Sequence, residues 1–410
     1  MDDDALAKPI LANTNGGTAS LTEDLQRVLS TLRSHLGMDV AFISEFSDDC
    51  RFLRYVDTDH QHAPLKAGDA HPLEETYCHR IVTGDLPEII PDTHANPTTR
   101  DLAITRALAI SSYIGVPIRM PDGSVYGTFC CFDQKPGAPL TLRDLSILRA
   151  FADFTGKLLD KERRGEHKRN ELKRRVGDII DEARLDMAYQ PIYHVREQRI
   201  VGFEALARFH TEPYQAPHLW FAEAERAGLG EALELLAVRE ALKGVPALPD
   251  DCYLSLNVSP NALLSGEIMA LLADCPAQSV VLEITEHARI SDYQAFLAAL
   301  KPMRQQGIRI AVDDAGAGYA SFQHILELNV DIIKLDISLI RNIHADTARR
   351  ALAAALIKFA EVTGSTVIAE GVETETELEE LRRLGVEKVQ GFYIGRPMPL
   401  SQTRSFQTGF

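Results

Sequence analysis

The sequence has no apolar run close to the roughly 18 residues that a membrane-spanning helix needs. It also has no basic region at its start, because Met1 is followed by Asp2, Asp3 and Asp4. A secretory signal peptide is therefore not expected. Together these absences predict a cytoplasmic protein that does not contact the membrane.

Cysteine is scarce, and none of the six cysteines belongs to a C-x-x-C motif. Structural zinc sites and redox motifs commonly show that spacing. We interpret the cysteines as reduced thiols, buried or without a role, in preference to a disulfide framework or a zinc site. They are Cys50, Cys78, Cys130, Cys131, Cys252 and Cys275.

Basic residues are outnumbered, since 43 Lys and Arg stand against 59 Asp and Glu, for a formal net charge of −16. A general nucleic-acid-binding protein needs a basic face, so this class is disfavoured. A small anionic substrate stays compatible with the charge, because local cations or metal ions can override the field of the whole protein.

The first part of the chain predicts an α+β domain with an antiparallel sheet over residues 21–160. Residues 1–20 are polar and are expected to form a disordered lead-in. The predicted elements are a helix over 21–36, strands over 40–43, 51–56, 113–118 and 125–132, and a closing helix from Leu142. Pro121-Asp122-Gly123 predicts a hairpin turn between the last two strands.

A charged segment follows this domain, with eight Lys and Arg and three Glu between residues 161 and 175. We interpret residues 161–180 as a solvated linker helix. Such a helix can also transmit strain or pair with a second copy of itself.

From residue 181 to 410, short apolar runs alternate with helical stretches, which predicts a TIM-like (β/α)8 barrel. The predicted strands are 187–193, 200–206, 253–257, 280–284, 308–312, 332–335, 366–369 and 388–390. Only a few residues join the first two runs, which is too short for a crossover helix. One antiparallel strand pair is therefore expected in a modified barrel.

Polar side chains stand at the carboxyl ends of these strands, where barrel enzymes place their active sites. They are Glu204, Asn257, Glu283, Glu286, Asp313, Asp314, Lys334, Asp336, Glu370 and Gln390. Five converging carboxylates would repel one another unless cations neutralise them. Two divalent ions and Lys334 would leave a nearly neutral site, and oxygen ligands suit Mg²⁺ or Mn²⁺. Such a site favours attack on a phosphodiester.

A nearby acidic run contains Glu373, Glu375, Glu379 and Glu380. We interpret it as a solvated helix start in which Thr374 and Glu377 form a capping box.

Residues 172–410 resemble the EAL-type phosphodiesterases. The resemblance rests on Tyr189-Gln190-Pro191-Ile192, Glu204-Ala205-Leu206-Ala207-Arg208, Asn257-Val258-Ser259, Glu283-Ile284-Thr285-Glu286, Asp313-Asp314, Lys334-Leu335-Asp336, Glu370-Gly371-Val372-Glu373 and Gln390-Gly391. It implies hydrolysis of cyclic di-GMP to linear pGpG with two Mg²⁺ or Mn²⁺ ions, and a homodimer.

The resemblance also implies a role for each matching residue. The implied metal ligands are Glu204, Asn257, Glu283, Asp313, Asp314 and Glu370, with Asp313 bridging. Lys334, Glu370 and Glu204 are the implied catalytic residues, with Glu370 as general base. Gln190, Arg208 and Gln390 would contact the substrate. Glu286 and Asp336 would hold the metal-binding residues in place without binding the ions themselves.

One segment departs from the family pattern Asp-Asp-Phe-Gly-Thr-Gly-Tyr-Ser-Ser. Ala315, Ala317 and Ala320 replace residues that carry a ring or a hydroxyl. In the family this loop couples dimerisation and regulation to metal binding. We therefore expect a more mobile loop and altered control of turnover.

Residues 21–160 resemble a GAF sensory domain. The resemblance rests on Glu75-Thr76-Tyr77-Cys78-His79, Pro91-Asp92-Thr93, Gly115-Val116-Pro117-Ile118 and Asp122-Gly123-Ser124-Val125-Tyr126-Gly127-Thr128. Cys78-His79 is similar to the Cys-His of bilin-binding relatives, but the flanking residues differ. The Asn-Lys-Phe-Asp-Glu signature of cyclic-nucleotide-binding relatives is absent, so the domain's ligand is unassigned.

The leading hypothesis is a GAF-regulated cyclic di-GMP hydrolase. The alternatives are a non-enzymatic cyclic di-GMP receptor that signals through a partner, and a hydrolase for another phosphodiester such as pGpG. The sequence contains no Gly-Gly-Asp-Glu-Phe motif, so synthesis of cyclic di-GMP is not expected.

Overall fold

A computed structural model describes residues 21–58, 65–135, 140–273, 275–284, 290, 292–315 and 319–408, with only the backbone of 319–322. The lead-in over 1–20, Glu286 and Ala317 lie outside the described residues, as does the side chain of Ala320. The chain divides into two compact units, one up to Lys168 and the other from Arg169.

The first unit is built on a six-stranded sheet in the order β3-β2-β1-β6-β5-β4. Its strands are β1 (Val40–Ser47), β2 (Cys50–Thr58), β3 (Ala70–Pro72), β4 (Ile89–Ile90), β5 (Ser112–Arg119) and β6 (Val125–Asp133). Every neighbouring pair is antiparallel, and β5 and β6 form the predicted hairpin. The α+β class with an antiparallel sheet is confirmed.

Both faces of this sheet are covered, because successive residues of a strand point to opposite sides. On β6, Phe129 and Cys131 pack into the core beneath helix α1 (Leu21–Leu36). Cys130 and Phe132 pack into a second core, which also contains residues of helix α2 (Tyr77–Thr83). Two separate cores thus lie on the two faces of one sheet.

The second unit contains eight strands that close into a barrel, because β14 pairs with β7. The strands are β7 (Leu185–His194), β8 (Arg199–Phe209), β9 (Tyr253–Val258), β10 (Val280–Ile284), β11 (Arg309–Ala315), β12 (Ile332–Leu335), β13 (Thr366–Ala369) and β14 (Lys388–Gln390). Strand β7 is antiparallel to both neighbours, and the other pairs are parallel. The predicted modified barrel is confirmed. A short strand β15 (Met398–Pro399) adds to β7.

Helices connect and cover these strands. The remaining helices are α3 (Pro97–Asp101), α4 (Ala103–Ala107), α5 (Leu142–Asp181), α6 (Pro217–Ala227), α7 (Gly230–Leu242), α8 (Pro260–Ser265), α9 (Glu267–Leu272), α10 (Tyr293–Gln306), α11 (Tyr319–Leu328), α12 (Ile337–Ile340), α13 (Thr347–Thr363), α14 (Glu375–Leu384) and α15 (Leu400–Thr403). Among the described residues, three short 3₁₀ helices, Leu73–Glu75, Val245–Ala247 and Ala277–Ser279, lie in the connections. Helix α5 joins the predicted closing helix and the predicted linker helix into one element.

Helix α14 begins with the predicted capping box, in which the Thr374 hydroxyl accepts from the Glu377 backbone and the Glu377 carboxylate accepts in return. Within the described part of the chain, none of the helices combines the length and the apolar character that crossing a membrane requires.

Candidate active site

Three neighbouring barrel strands bring Glu204, Asn257 and Glu283 together, Glu204 from the middle of β8 and the other two from the carboxyl ends of β9 and β10. In the parallel register Glu204 lies opposite Ser255, and Asn257 lies opposite Glu283. The Asn257 amide nitrogen donates to Glu204 Oε1 at 2.8 Å, and the Ser255 hydroxyl donates to Glu283 Oε1. The three strands therefore present two hydrogen-bonded pairs of polar side chains, Asn257–Glu204 and Ser255–Glu283.

Lys334 lies at the centre of the carboxylates and is completely buried. Its Nζ is 2.6 Å from a Glu370 oxygen and 2.7 Å from a Glu283 oxygen. Oxygens of Asp313 and Glu204 lie 3.2 and 3.6 Å away. One ammonium thus contacts carboxylates from four different strands.

Asp313 and Asp314 face the same site although they are consecutive in the strand. The pairing of β11 with β12 is irregular between Val312 and Ala315, and Asp314 has a φ of 55°. That left-handed backbone is uncommon for a residue other than glycine. It interrupts the alternation of the strand, so that Asp313, Asp314 and Glu370 each place an oxygen within 4.8 Å of the others.

Burial and charge together set the protonation of this cluster. Burial raises the pKa of Glu283 to about 8, although Lys334 opposes that shift. Burial also raises the pKa of Glu370 well above its usual range. Burial alone would lower the pKa of Lys334, but Asp313, Glu204 and the other carboxylates hold it well above its ordinary value. Lys334 is therefore a permanent cation among acids that resist full ionisation.

The donor set fits divalent cations. The cluster contains five carboxylates (Glu204, Glu283, Asp313, Asp314, Glu370) and one ammonium, Lys334, so full ionisation leaves four negative charges, which two divalent cations would neutralise. Oxygen donors of this kind suit Mg²⁺ or Mn²⁺. The side chains of Asp313 and Glu370 are 16% and 18% exposed, whereas those of Lys334 and Glu283 are 1% exposed. Asp313 and Glu370 therefore offer accessible oxygens, whereas Lys334 and Glu283 are buried beneath them.

Two glutamines connect β7, β8 and β14 beside the carboxylates. The Gln390 amide nitrogen donates to Glu204 Oε2 at 2.7 Å and to Gln190 Oε1 at 3.2 Å. Gln190 in turn donates to the Gly395 carbonyl at 3.2 Å. The buried Gln390 Oε1 has no hydrogen-bond partner among the described residues. It is an acceptor left available at the site.

The other residues predicted from the sequence lie farther out. Arg208 lines a second cavity, of about 540 Å³, with Asp186 and Lys243. Asp336 begins helix α12, where its carboxylate accepts from the Ser338 backbone at 2.9 Å. Its own backbone nitrogen donates to the carbonyl of the buried Ala315. Asp336 thus supports the strand ends without reaching into the carboxylate cluster.

A cavity of about 260 Å³ opens onto Glu204, Asp313 and Glu370. Phe392 and Ile337 form part of its wall and are 48% and 40% exposed. Sequence reasoning missed both residues, because a single exposed apolar side chain outside the strands carries no signal. The cavity therefore combines an acidic floor with an apolar wall.

A glycine is required at position 371, which lines the cavity between Glu370 and Ile337. Its φ is +67°, and a Cβ there would lie 2.2 Å from Ile337 Cγ1. Only glycine allows Ile337 to approach the backbone beside Glu370 this closely.

Comparison with known proteins identifies both units. The model of the EAL domain matches residues 169–397, more than half of the 410 residues. The chain belongs to the EAL domain family. The model of the GAF domain matches residues 20–159, so the EAL domain is preceded by a GAF domain.

Several relatives of this EAL protein have been named or solved. The cyclic di-GMP phosphodiesterase PdeB of Shewanella oneidensis is 30% identical, over 65% of this chain and 33% of PdeB. The cyclic di-GMP phosphodiesterase NbdA of Pseudomonas aeruginosa is 28% identical, over 73% of this chain and 39% of NbdA. The chain thus spans less than two fifths of either relative.

A solved structure described as the PaMucR phosphodiesterase in complex with c-di-GMP is also similar. It is 27% identical with a TM-score of 0.52, over 57% of this chain and 99% of that one. The share of this chain that is similar, 57%, is close to the length of the EAL match over residues 169–397.

Proposed function

We propose that this EAL protein hydrolyses cyclic di-GMP to linear pGpG, with two Mg²⁺ or Mn²⁺ ions, under the control of its GAF domain. The observation that carries the proposal is a cluster of five carboxylates, four of which lie within 3.6 Å of the buried Lys334, beside a cavity. The similarity to PdeB, NbdA and PaMucR, which are named as phosphodiesterases, supports the substrate.

The residues that would hold the ions are Glu204, Asn257, Glu283, Asp313, Asp314 and Glu370. Bound divalent ions would lower the pKa of an attacking water and stabilise negative charge on the phosphate. Asn257 would use its amide oxygen, since its nitrogen donates to Glu204.

The chain's own side chains divide the remaining work. Glu370 faces the cavity, and burial raises its pKa toward the range in which a carboxylate accepts a proton effectively. We assign it as the base that takes the proton of the attacking water. Lys334 fixes the Glu370 carboxylate and keeps a positive charge beneath the phosphate. Gln390 Oε1 is available to accept from a substrate N–H or O–H.

Control by the GAF domain and a homodimer are further parts of the proposal. Helix α5 runs without a break from Leu142 to Asp181, so one helix carries the chain from the first unit into the second. It also contains the charged segment that could pair with a second copy.

The hydrolysis test is an assay of the purified full chain with cyclic di-GMP and Mg²⁺ or Mn²⁺. Linear pGpG is the expected product, and a chelator should stop its formation. Binding of cyclic di-GMP without cleavage under either metal would identify a receptor and not an enzyme. If pGpG is consumed and cyclic di-GMP is not, the protein is a hydrolase for pGpG.

Replacement of Mg²⁺ by Ca²⁺ gives a separate prediction. Ca²⁺ is larger and accepts looser coordination, so it should bind the carboxylates without supporting catalysis. Calorimetric titration should detect Ca²⁺ binding, while pGpG formation stays at the level measured in chelator. Full turnover in Ca²⁺ alone would contradict the proposed use of the ions.

Phe392→Ala should weaken substrate binding more than it slows turnover. The exposed Phe392 ring borders the cavity, where a guanine base can stack on the face opposite the Arg396 guanidinium, which lies 4.3 Å from the ring centroid. Stacking of a base on an aromatic ring contributes about 1–3 kcal/mol, so KM should rise by roughly 5- to 150-fold. Steady-state kinetics measures this change. Leu352→Ala, on helix α13, is the control and should leave KM unchanged, whereas an unaltered KM in Phe392→Ala would exclude the stacking role.

A further inference from the structure

The GAF domain buries an arginine that makes no ion pair with a carboxylate among the described residues. Arg51 is 2% exposed, and its Nε has no hydrogen-bond partner there. One terminal nitrogen donates to Cys78 Sγ at 3.5 Å, and the other donates to His71 Nδ1 at 3.0 Å. The guanidinium also lies 5.4 Å from the centroid of the Phe42 ring. Burying a charge is costly unless its neighbours compensate it, and a neighbour that can carry negative charge does so best.

Cys78 is the neighbour that can carry this charge. Burial lowers the pKa of His71, and so does Arg51, so the imidazole is neutral and accepts from Arg51. Burial raises the pKa of Tyr113 well above its ordinary value, so its phenol stays protonated. Burial alone would raise the pKa of Cys78 too, but hydrogen bonding by Cys130 and the charge of Arg51 hold it well below the ordinary thiol value. Arg51 therefore favours the thiolate form of Cys78, with which it can form a buried guanidinium–thiolate pair.

A second thiol lies beside this pair. Cys130 Sγ is 3.9 Å from Cys78 Sγ, and the Tyr113 hydroxyl is 3.5 Å from Cys78 Sγ. Strand β5 makes room for Cys130 because its register partner is Gly115. A Cβ on Gly115 would lie 2.8 Å from Cys130 Sγ. Two thiols that are 52 residues apart in the chain thus share one buried site.

We propose that Cys78 and Cys130 form a dithiol that a hydroperoxide oxidises to an intramolecular disulfide, with Cys78 as the attacking sulfur and Cys130 as the resolving thiol. The Cys78 thiolate attacks one peroxide oxygen, the O–O bond breaks, and the leaving hydroxide takes a proton to become water (an alcohol for an organic hydroperoxide). Cys130 then attacks the sulfenic sulfur, and its proton leaves with the hydroxyl as water. The two sulfurs lose two electrons in total, and the peroxide gains them.

The assignment of the two sulfurs follows from their neighbours. Cys78 contacts Arg51 and Tyr113, which donate hydrogen bonds that stabilise a thiolate. Burial raises the pKa of Cys130, so it stays a thiol until Cys78 has been oxidised. Bond formation requires the sulfurs to move from 3.9 Å to about 2 Å apart. Both thiols are fully buried, so peroxide reaches them during local opening and oxidation is slower than at an exposed thiol.

The test uses the full-length protein, reduced, freed of reductant and exposed to increasing hydrogen peroxide. Remaining thiols are alkylated in denaturant, and the digest is analysed by mass spectrometry. A Cys78–Cys130 linked peptide should accumulate with peroxide and disappear on reduction with dithiothreitol. The proposal is wrong if both thiols stay open to alkylation after prolonged exposure to peroxide in large molar excess.

Cys131 provides the matched control, since it is adjacent in sequence, equally buried and on the opposite face of the sheet. The link should persist in Cys131→Ser and be absent from Cys130→Ser. In Cys130→Ser, dimedone should instead trap the sulfenic acid on Cys78. Loss of the link in Cys131→Ser would show that Cys131 is required for the disulfide and would overturn the proposal.

The role of Arg51 is tested by the rate. Arg51→Gln should slow oxidation of Cys78 by about tenfold or more, because loss of the guanidinium charge raises the pKa of the thiol and leaves less thiolate. Arg51→Lys keeps the charge and should recover part of the rate. Circular dichroism checks that each variant is folded, and the cysteine variants decide the proposal if Arg51→Gln does not fold. An unchanged rate in folded Arg51→Gln would remove Arg51 from the site.

Discussion

Lys334→Met is expected to destabilise the barrel strongly and to abolish hydrolysis. Lys334 is fully buried and lies within 3.6 Å of four carboxylates. Removing one partner of a buried charge cluster typically costs about 3–5 kcal/mol, because the remaining charges are left uncompensated. Denaturant unfolding in the presence of a chelator measures this loss without interference from bound cations. Cyclic di-GMP hydrolysis is measured on the same preparation.

A second substitution separates loss of charge from loss of packing. Glu283 is the least exposed carboxylate of the cluster and lies 2.7 Å from Lys334. In Glu283→Gln/Lys334→Met a buried carboxyl group that Lys334 holds toward its ionised form is removed together with the cation. The double variant should therefore recover about 0.5–3 kcal/mol relative to the sum of the single effects. Strict additivity would mean that Lys334 acts through its volume alone.

Lys358→Met is the control for these variants. Lys358 pairs with Glu361 at 2.7 Å, but its side chain is 73% exposed. Exposed pairs of this kind contribute about 0–1 kcal/mol, so stability and turnover should barely change. A similar loss in both lysine variants would contradict the special role of the buried one.

The positions of the site residues follow from the sequence to a large extent. Apolar runs with a polar residue at the end predict which strand carries Glu204, Asn257 or Glu283 to the mouth of the barrel. The parallel register then places Asn257 opposite Glu283. This part is predictable because strand order and alternation alone decide which side chains become neighbours.

Other features depend on long-range packing that no local pattern contains. The irregular pairing near Asp314 and its φ of 55° turn two consecutive carboxylates to one side, whereas alternation predicts opposite sides. The contact between Gln190 and Gln390 joins residues 200 positions apart. The apolar context of Cys78 predicts an inert thiol, but the fold places it beside Arg51.

Glu204→Ala is expected to lower turnover by at least about 10²–10³-fold, the scale for losing one group that stabilises charge in a transition state. The Glu204 carboxylate accepts from Asn257 at 2.8 Å and from Gln390 at 2.7 Å. Its removal therefore deletes an oxygen proposed to bind the cations and takes one acceptor from the amide nitrogens of Asn257 and Gln390. Initial rates of pGpG formation in Mg²⁺ and Mn²⁺ measure the loss, and calorimetry measures the binding of each ion.

Glu373→Ala is the matched control for Glu204→Ala, because Glu373 lines the same cavity but its carboxylate is bound by Arg341 at 2.6 Å. Because the Glu373 carboxylate lies at the cavity and pairs with Arg341, its removal should cause little loss of turnover. A large loss in Glu204→Ala beside a small loss in Glu373→Ala would locate the chemistry at the strand ends and not at the negative charge of the cavity as a whole. Retained activity in Glu204→Ala would show that the ions are held by a different set of oxygens, and Asp313, Asp314 and Glu370, which already place oxygens within 4.8 Å of one another, would be the next to test.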